Sequence, residues 1–112
     1  MNKSSQAYER RFTKTFDNQF HKLRDSIRTK RIKQRVDQIV ASPYANIDFG
    51  AGQYRGKRKD RAGDDRIVFT VCEQCRNEHH EKYNDCSDCN TTPNNMVTFW
   101  EIIEGHKYRT RN

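Results

Sequence analysis

The sequence is poor in hydrophobic residues and has no long apolar run. Hydrophobic residues make up only 32% of the 112-residue chain, so we expect one domain with a small core. Residues 1–20 contain no apolar signal region, which favours a cytoplasmic protein. The chain also has no long apolar segment and no strongly amphipathic basic helix that would anchor it in a membrane. We therefore expect no membrane partner.

Acidic residues are also few. The chain has 22 Lys and Arg against 15 Asp and Glu, which gives a formal net charge of +7. This excess favours a polyanionic partner, either nucleic acid or an acidic protein. Seven basic residues lie between Lys22 and Arg35 against one acid, Asp25. A solvated helix face is the preferred interpretation of this cluster, and docking on phosphates is the alternative.

The pattern of residues 54–71 predicts a β-hairpin with a cationic first strand and a buried second strand. An apolar, β-branched run follows a glycine-containing break. A two-residue turn at Ala62-Gly63 or Gly63-Asp64 brings the cations onto one face, whereas a three-residue turn scatters them. The alternative is an edge strand on which lysines only prevent aggregation. The cations that share a face with the two-residue turn are Lys57, Lys59, Arg61 and Arg66.

The rest of the chain predicts an α+β fold. Tyr8–Phe12 is a short strand, residues 13–41 form a helical hairpin that ends at Ser42-Pro43, and residues 96–103 form a buried final strand. Asp25 or Ser26 is expected to cap the second helix. The two apolar stripes of the hairpin are Phe16, Phe20, Leu23 and Ile27, and then Ile32, Val36, Ile39 and Val40.

Two Cys-x-x-Cys pairs, with ten residues between them, predict a structural zinc site. Four thiolates complete a tetrahedron and leave no open position, so we expect no catalytic metal. A pair of disulfides or a redox Cys-x-x-Cys is the rival interpretation, and His79 or His80 can replace one cysteine. The surrounding segment is acidic, so it suits a strand staple better than a phosphate-binding site. The predicted ligands are Cys72, Cys75, Cys86 and Cys89.

The order of these elements resembles the RelE/ParE toxin superfamily. Tyr54-Arg55-Gly56 resembles the family's Leu-Arg/Lys-Gly, and Lys57-x-Lys59-x-Arg61 follows it. Ala62–Phe69 resembles Arg-Val-Gly-Asp-Tyr-Arg-Ile-Ile-Tyr, and Glu104–Arg109 resembles the family's Gly-His-Arg ending with a nearby tyrosine. The resemblance implies one RelE-like domain over 1–112, with the strand and helical hairpin packed on a small antiparallel sheet. Residues 72–95 are then a zinc-binding insertion between the last two strands.

The resemblance also implies a function. RelE-type members are ribonucleases that cut messenger RNA on the ribosome and are inhibited by a small antitoxin protein, whereas ParE-type members poison DNA gyrase. The positions of Lys57, Lys59 and Arg66 match the RNA-cutting branch, so the resemblance implies an endoribonuclease toxin of a toxin–antitoxin system. The alternatives are a non-enzymatic, zinc-containing nucleic-acid-binding module and a toxin-fold protein with another target such as gyrase.

Cleavage of RNA without metal requires a base, positive charge at the phosphate and an acid. We predict Lys57 or Lys59 as the base, because crowded cations favour the neutral form of a lysine. Arg61 and Arg66 are expected to hold the developing phosphate charge. Asp65 stands where the family usually has tyrosine, and we expect its charge to offset part of the cationic face.

The remaining site residues follow from the C-terminal resemblance and from charge. His106 is the predicted acid, and Tyr108 is predicted to stack on a base or to orient the substrate. The other predicted RNA contacts are Arg55, Arg58, Lys107 and Arg109.

Overall fold

A computed structural model describes residues 7–45, 54, 56–80, 84, 86 and 88–105, and these form an α+β structure. The strands are β1 (Glu9–Phe12), β2 (Arg58–Ala62), β3 (Asp65–Val71) and β4 (Met96–Ile103). The helices are α1 (Lys14–Lys22), α2 (Ser26–Ala41) and α3 (Cys72–Asn77), and a short 3-10 helix covers Cys89–Thr91. The predicted class is confirmed, and so is the predicted order of strand, helical hairpin, β-hairpin and final strand.

The strands form one mixed sheet in the order β1-β4-β3-β2. β2, β3 and β4 are antiparallel neighbours, whereas β1 runs parallel to β4. The resemblance implied a small antiparallel sheet, but the sheet is mixed, because β1 pairs with β4 in parallel. The physical reason is the connection: both helices and the β-hairpin lie between β1 and β4, and a crossover of that length can bring a strand back in the same direction.

Each helix of the helical hairpin begins at a side-chain cap. The Oγ1 atom of Thr13 accepts a hydrogen bond from the backbone N–H of Phe16 at 3.1 Å and begins α1. The carboxylate of Asp25 accepts from the N–H groups of Ile27 and Arg28 at 2.9 and 3.2 Å, so the predicted cap of α2 is confirmed. No helix in the described residues is long and apolar enough to cross a bilayer.

The hydrophobic core lies between the two long helices and one face of the sheet. Phe99 of β4 is at its centre, and its ring lies 5.2 Å from that of Phe12 and 5.9 Å from that of Phe16. The prediction that Ile27 belongs to the core stripe is wrong, because Asp25 starts a new helix that leaves Ile27 62% exposed. The buried core residues are Phe16, Ile32, Val36, Ile39, Val40, Ala62, Ile67, Phe69, Val71, Val97, Phe99 and Ile102.

The opposite face of the sheet, which we call the outer face, carries the alternate side chains of β2 and β3. Since neighbouring residues of a strand point to opposite sides, the core positions Ile67, Phe69 and Val71 define which residues lie on this face. They are Lys59, Arg61, Arg66, Val68 and Thr70.

Asp65 is directed away from the outer face. It is 2% exposed, and its carboxylate accepts hydrogen bonds from Nε and Nη2 of Arg28 at 3.1 and 2.9 Å. The backbone N–H of Gly105 donates to the same carboxylate at 2.9 Å. The expectation that Asp65 offsets the cationic face is therefore wrong: Asp65 and Arg66 point to opposite sides of β3, and helix α2 supplies the partner of Asp65.

We expect Asp65→Asn to lower the free energy of unfolding by about 3 kcal/mol, because it breaks a largely buried ion pair. Asp37→Asn is the matched control, since Asp37 pairs with Arg10 at the surface with 69% of its side chain exposed; its expected loss is below about 1 kcal/mol. Urea denaturation followed by circular dichroism measures both. Equal losses in the two variants would contradict the structural role of Asp65.

Candidate nucleic-acid interface

The β2–β3 hairpin has the two-residue turn that concentrates its cations. Arg61 pairs with Arg66 and Ala62 pairs with Asp65, so Gly63 and Asp64 form the turn. Gly63 has a φ of +68°, a left-handed conformation that glycine adopts without a steric penalty. The predicted register is confirmed, and with it the common face of Lys59, Arg61 and Arg66. Lys57, the fourth predicted cation, precedes β2 and lies outside the paired residues.

The cationic residues are not confined to an edge strand. β2 is at the edge of the sheet, but β3 lies between β2 and β4. Arg66 of β3 is therefore on an inner strand, with Arg61 directly opposite it on one side and Ile103 on the other. Like charges directly opposite each other destabilise a sheet. Protection of an edge against aggregation explains Lys59 and Arg61, but it does not explain Arg66.

A β-bulge in β4 turns two further side chains outward. Phe99 pairs with Phe69 and Glu101 pairs with Val68, so Trp100 is the extra residue between them. Phe99 and Ile102 both face the core, and the two residues between them, Trp100 and Glu101, consequently lie on the outer face. The prediction of a buried strand over residues 96–103 did not include these two outward side chains. The signal in the sequence is Glu101, a charged residue within an apolar run, which indicates that part of this strand points away from the core.

The indole ring of Trp100 lies against the half-buried amine of Lys57. The Nζ atom of Lys57 lies 4.9 Å from the centroid of the indole ring, and the indole N–H donates to Oγ1 of Thr70 at 2.9 Å. Burial lowers the pKa of Lys57, while negative charge at Cys86 and Glu101 opposes this shift. A lowered pKa agrees with the prediction that Lys57 is the base, but its cause is burial rather than repulsion from neighbouring cations.

Arg58 does not belong to the outer face. It is 3% exposed, pairs with the core residue Phe69 and holds its guanidinium carbon 5.4 Å from the ring centroid of Tyr44. Burial lowers the pKa of Arg58. The predicted RNA contact at this residue is wrong, because strand alternation directs its side chain inward. The other predicted site residues Arg55, His106, Lys107, Tyr108 and Arg109 lie outside the described residues.

The cysteines lie in the connection between β3 and β4. Cys72 and Cys75 are buried on α3, Cys86 and Cys89 are half-buried, and all four are free thiols. The side-chain amide of Asn84 donates to Sγ of Cys75 at 3.1 Å. Burial raises the pKa of Cys72 and of Cys86. Among the described residues, no group of three His, Cys, Asp or Glu side chains is close enough to hold a metal ion. The zinc site stays a prediction.

Two arginines make hydrogen bonds to described residues of this connection (residues 72–95), which we call the insertion because it separates the antiparallel neighbours β3 and β4. The guanidinium of Arg76 donates to the carbonyls of Cys89 and Thr92 and to the side chain of Asn94. Arg11 of β1 donates to Oγ1 of Thr98 at 2.8 Å and to the carboxylate of Asp88 at 2.5 Å. The insertion is therefore held against the β1–β4 side of the outer face.

A cleft separates the insertion from β1 and β4. Trp100 lies on one side of it, next to Lys57, and Asp88 lies on the side formed by the insertion. The residues that line it are Arg11, Phe12, Thr13, Cys86, Asp88, Thr98 and Trp100.

No family model, no curated protein and no solved structure matches this chain. The function is therefore inferred from the geometry of the outer face. That face combines cations on a rigid hairpin, an amine that burial favours in its neutral form, and an adjacent aromatic cleft.

We expect the amine of Lys57 to titrate below the ordinary lysine pKa of about 10.4, because burial penalises its charged form. Between the two pKa values the unfolded chain binds more protons than the folded chain, so this group makes the protein more stable as the pH rises through that interval. NMR titration of the lysine side chains measures the shift, with Lys57→Arg identifying the resonance. A midpoint at or above the ordinary value would contradict the burial argument.

Proposed function

We propose that this chain is a cytoplasmic RelE-like toxin, an endoribonuclease that cleaves messenger RNA on the ribosome at a metal-free cationic site on its outer face. The observation that carries the proposal is the position of Arg66, an arginine on an inner strand directly opposite Arg61. The order of strand, helical hairpin, basic hairpin and final strand supports the RelE-like fold, with the insertion between β3 and β4.

The proposed reaction is an attack of the RNA 2′-hydroxyl oxygen on the adjacent phosphorus. Lys57, as the neutral amine, accepts the hydroxyl proton while the new P–O2′ bond forms. Arg61 and Arg66 stabilise the additional negative charge of the pentavalent phosphate. The P–O5′ bond then breaks, and His106 donates a proton to the leaving oxygen. The products are a 2′,3′-cyclic phosphate and a 5′-hydroxyl end.

Of the two lysines predicted as base, Lys57 is favoured by its surroundings. Its amine lies beside Trp100 in a half-buried position, and burial lowers its pKa. A base is most efficient when its pKa approaches the working pH. Lys59 lies with its Nζ atom 5.8 Å from the ring centroid of Tyr54 and is proposed to hold the RNA phosphate.

We expect Lys57→Met and Arg66→Ala each to lower cleavage of ribosome-bound messenger RNA by about 100-fold or more, while binding to RNA weakens only slightly. Lys33→Ala removes one positive charge from the exposed face of α2 and serves as the control with nearly unchanged cleavage. Cleavage is measured in a reconstituted translation system and binding by fluorescence anisotropy.

The same variants separate the alternatives. A non-enzymatic nucleic-acid-binding module would cleave nothing and would lose affinity with each removed cation, with a shallower dependence on salt. A gyrase poison would block DNA supercoiling and leave messenger RNA intact. The proposed antitoxin partner is a small acidic protein, since the chain carries a net charge of +7. Its co-expression is expected to relieve growth arrest.

We also propose that Cys72, Cys75, Cys86 and Cys89 bind one structural Zn²⁺. Four thiols, present as two Cys-x-x-Cys pairs, provide the donor set that zinc prefers in structural sites. The positive charges of Arg11 and Arg76 act on Cys72 and would offset the negative charge of a four-thiolate centre. A zinc ion there would fix the wall of the cleft that the insertion provides.

We expect one zinc per chain by elemental analysis of protein purified from zinc-containing medium. Cys75→Ser should lose the metal and lower the melting temperature, because structural zinc contributes directly to folding. His80→Ala is the control and should retain it if no histidine replaces a cysteine. Native protein without zinc, or with four thiols that react freely with a thiol reagent, would contradict the proposal.

A further inference from the structure

Trp100 is an aromatic side chain that the proposed chemistry does not use. A regular strand that kept Phe99 in the core would return residue 101 to the core, but the bulge keeps both Trp100 and Glu101 outside. Bulges commonly redirect a side chain next to a functional site. The indole is held in place at its N–H by Thr70, and the Nζ atom of Lys57 lies 4.9 Å from its centroid. It is a fixed aromatic surface beside the amine of Lys57.

We propose that the cleft at Trp100 binds one nucleobase of a single-stranded RNA, which stacks on the indole while its phosphates lie on the cations of the outer face. This inference rests on the proposed role of the outer face in RNA binding. It adds a site for the base, whereas the proposed reaction assigns residues only to the phosphate and its neighbouring oxygens. In a double helix the bases are already stacked on one another, so the ligand must be single-stranded.

The charges around the cleft favour a base over a phosphate. Arg11 is the cation that lines the cleft, and it already forms an ion pair with the carboxylate of Asp88 at 2.5 Å, so its positive charge is offset. A base is uncharged and does not need a free cation in the cleft. Phe12, 38% exposed, adds apolar surface to the lining of the cleft. The phosphates are accommodated instead by Lys59, Arg61 and Arg66.

The alternative is that Trp100 only packs against Lys57 and Thr70. The two roles make different demands on the ring. Packing tolerates any change that preserves the fold, whereas stacking requires an aromatic surface and a ligand that contains a base. Stacking of one base on an aromatic side chain contributes enough to change affinity by about 5- to 150-fold.

The chain contains a single tryptophan, so its intrinsic fluorescence reports on this site alone. The full chain is titrated with a six-nucleotide RNA carrying 2′-O-methyl groups, which cannot be cleaved. It is also titrated with a series of the same oligonucleotide in which each member lacks a different base. We expect saturable quenching of Trp100 by the intact oligonucleotide, and weaker quenching by at least one member of the series.

Variants test the same site by anisotropy. Trp100→Ala is expected to weaken binding by about tenfold or more with an unchanged salt slope, and Trp100→Phe to restore most of the affinity. Arg66→Ala is the matched comparison, because loss of a phosphate contact makes the salt slope shallower. If Trp100→Ala fails to fold, the quenching of the wild-type chain still decides the question.

The outcomes separate this inference from the proposed function. Base-dependent quenching without RNA cleavage supports the nucleobase site and contradicts the endoribonuclease. Cleavage that Trp100→Ala leaves unchanged, together with quenching that no missing base alters, overturns the nucleobase site and leaves the endoribonuclease standing. Equal affinity for a duplex of the same length would also overturn it.

Discussion

The register of the β2–β3 hairpin is the constraint on which the rest of the structure depends. A slip by one residue would exchange the two faces of a strand, so Asp65 would point outward and Arg66 into the core. Two features oppose that slip. Gly63 adopts the positive φ of the two-residue turn, and the carboxylate of Asp65 accepts hydrogen bonds from Arg28 and from the N–H of Gly105. The turn and the buried carboxylate therefore hold the same register, one locally and one through α2.

The same alternation separates the stabilising interactions from the proposed reactive ones. On the core side, the buried negative charge of Asp65 is neutralised by the guanidinium of Arg28 from α2. On the outer face, Arg61 lies directly across from Arg66, an arrangement that reduces the stability of the sheet. A sheet that places an arginine of the inner strand β3 directly opposite one of the edge strand β2 has a surface suited to polyanions. This is why the inner position of Arg66 is more informative than the total charge of the chain.

The insertion and the bulge act together on the other half of the outer face. The bulge directs Trp100 outward, and Arg11 links the insertion to β1 and β4 through Asp88 and Thr98. The cleft lies between these two irregular features on the outer face, since Trp100 lines one side of it and Asp88 of the insertion lines the other. In the proposed RNA complex, the insertion supplies the wall of the cleft that holds the base, while the phosphates lie on the cations of the outer face.

Local chemistry determined much of the fold from the sequence alone. Helical spacing, the cap at Asp25, the break at Ser42-Pro43 and the β-branched runs are signals within a few residues. The helices α1 and α2, the hairpin and β4 agree with them, whereas α3 was not predicted. The turn that contains Gly63 is also local, so the common face of Lys59, Arg61 and Arg66 was predictable.

Only the tertiary structure decided the remainder. The parallel pairing of β1 with β4 depends on how a long crossover returns to the sheet, and no local pattern encodes it. The inward position of Asp65 requires Arg28 from a distant helix, and the outward position of Trp100 requires that Phe99 and Ile102 both find the core. The lowered pKa of Lys57 likewise comes from burial, which the sequence around the lysine does not reveal.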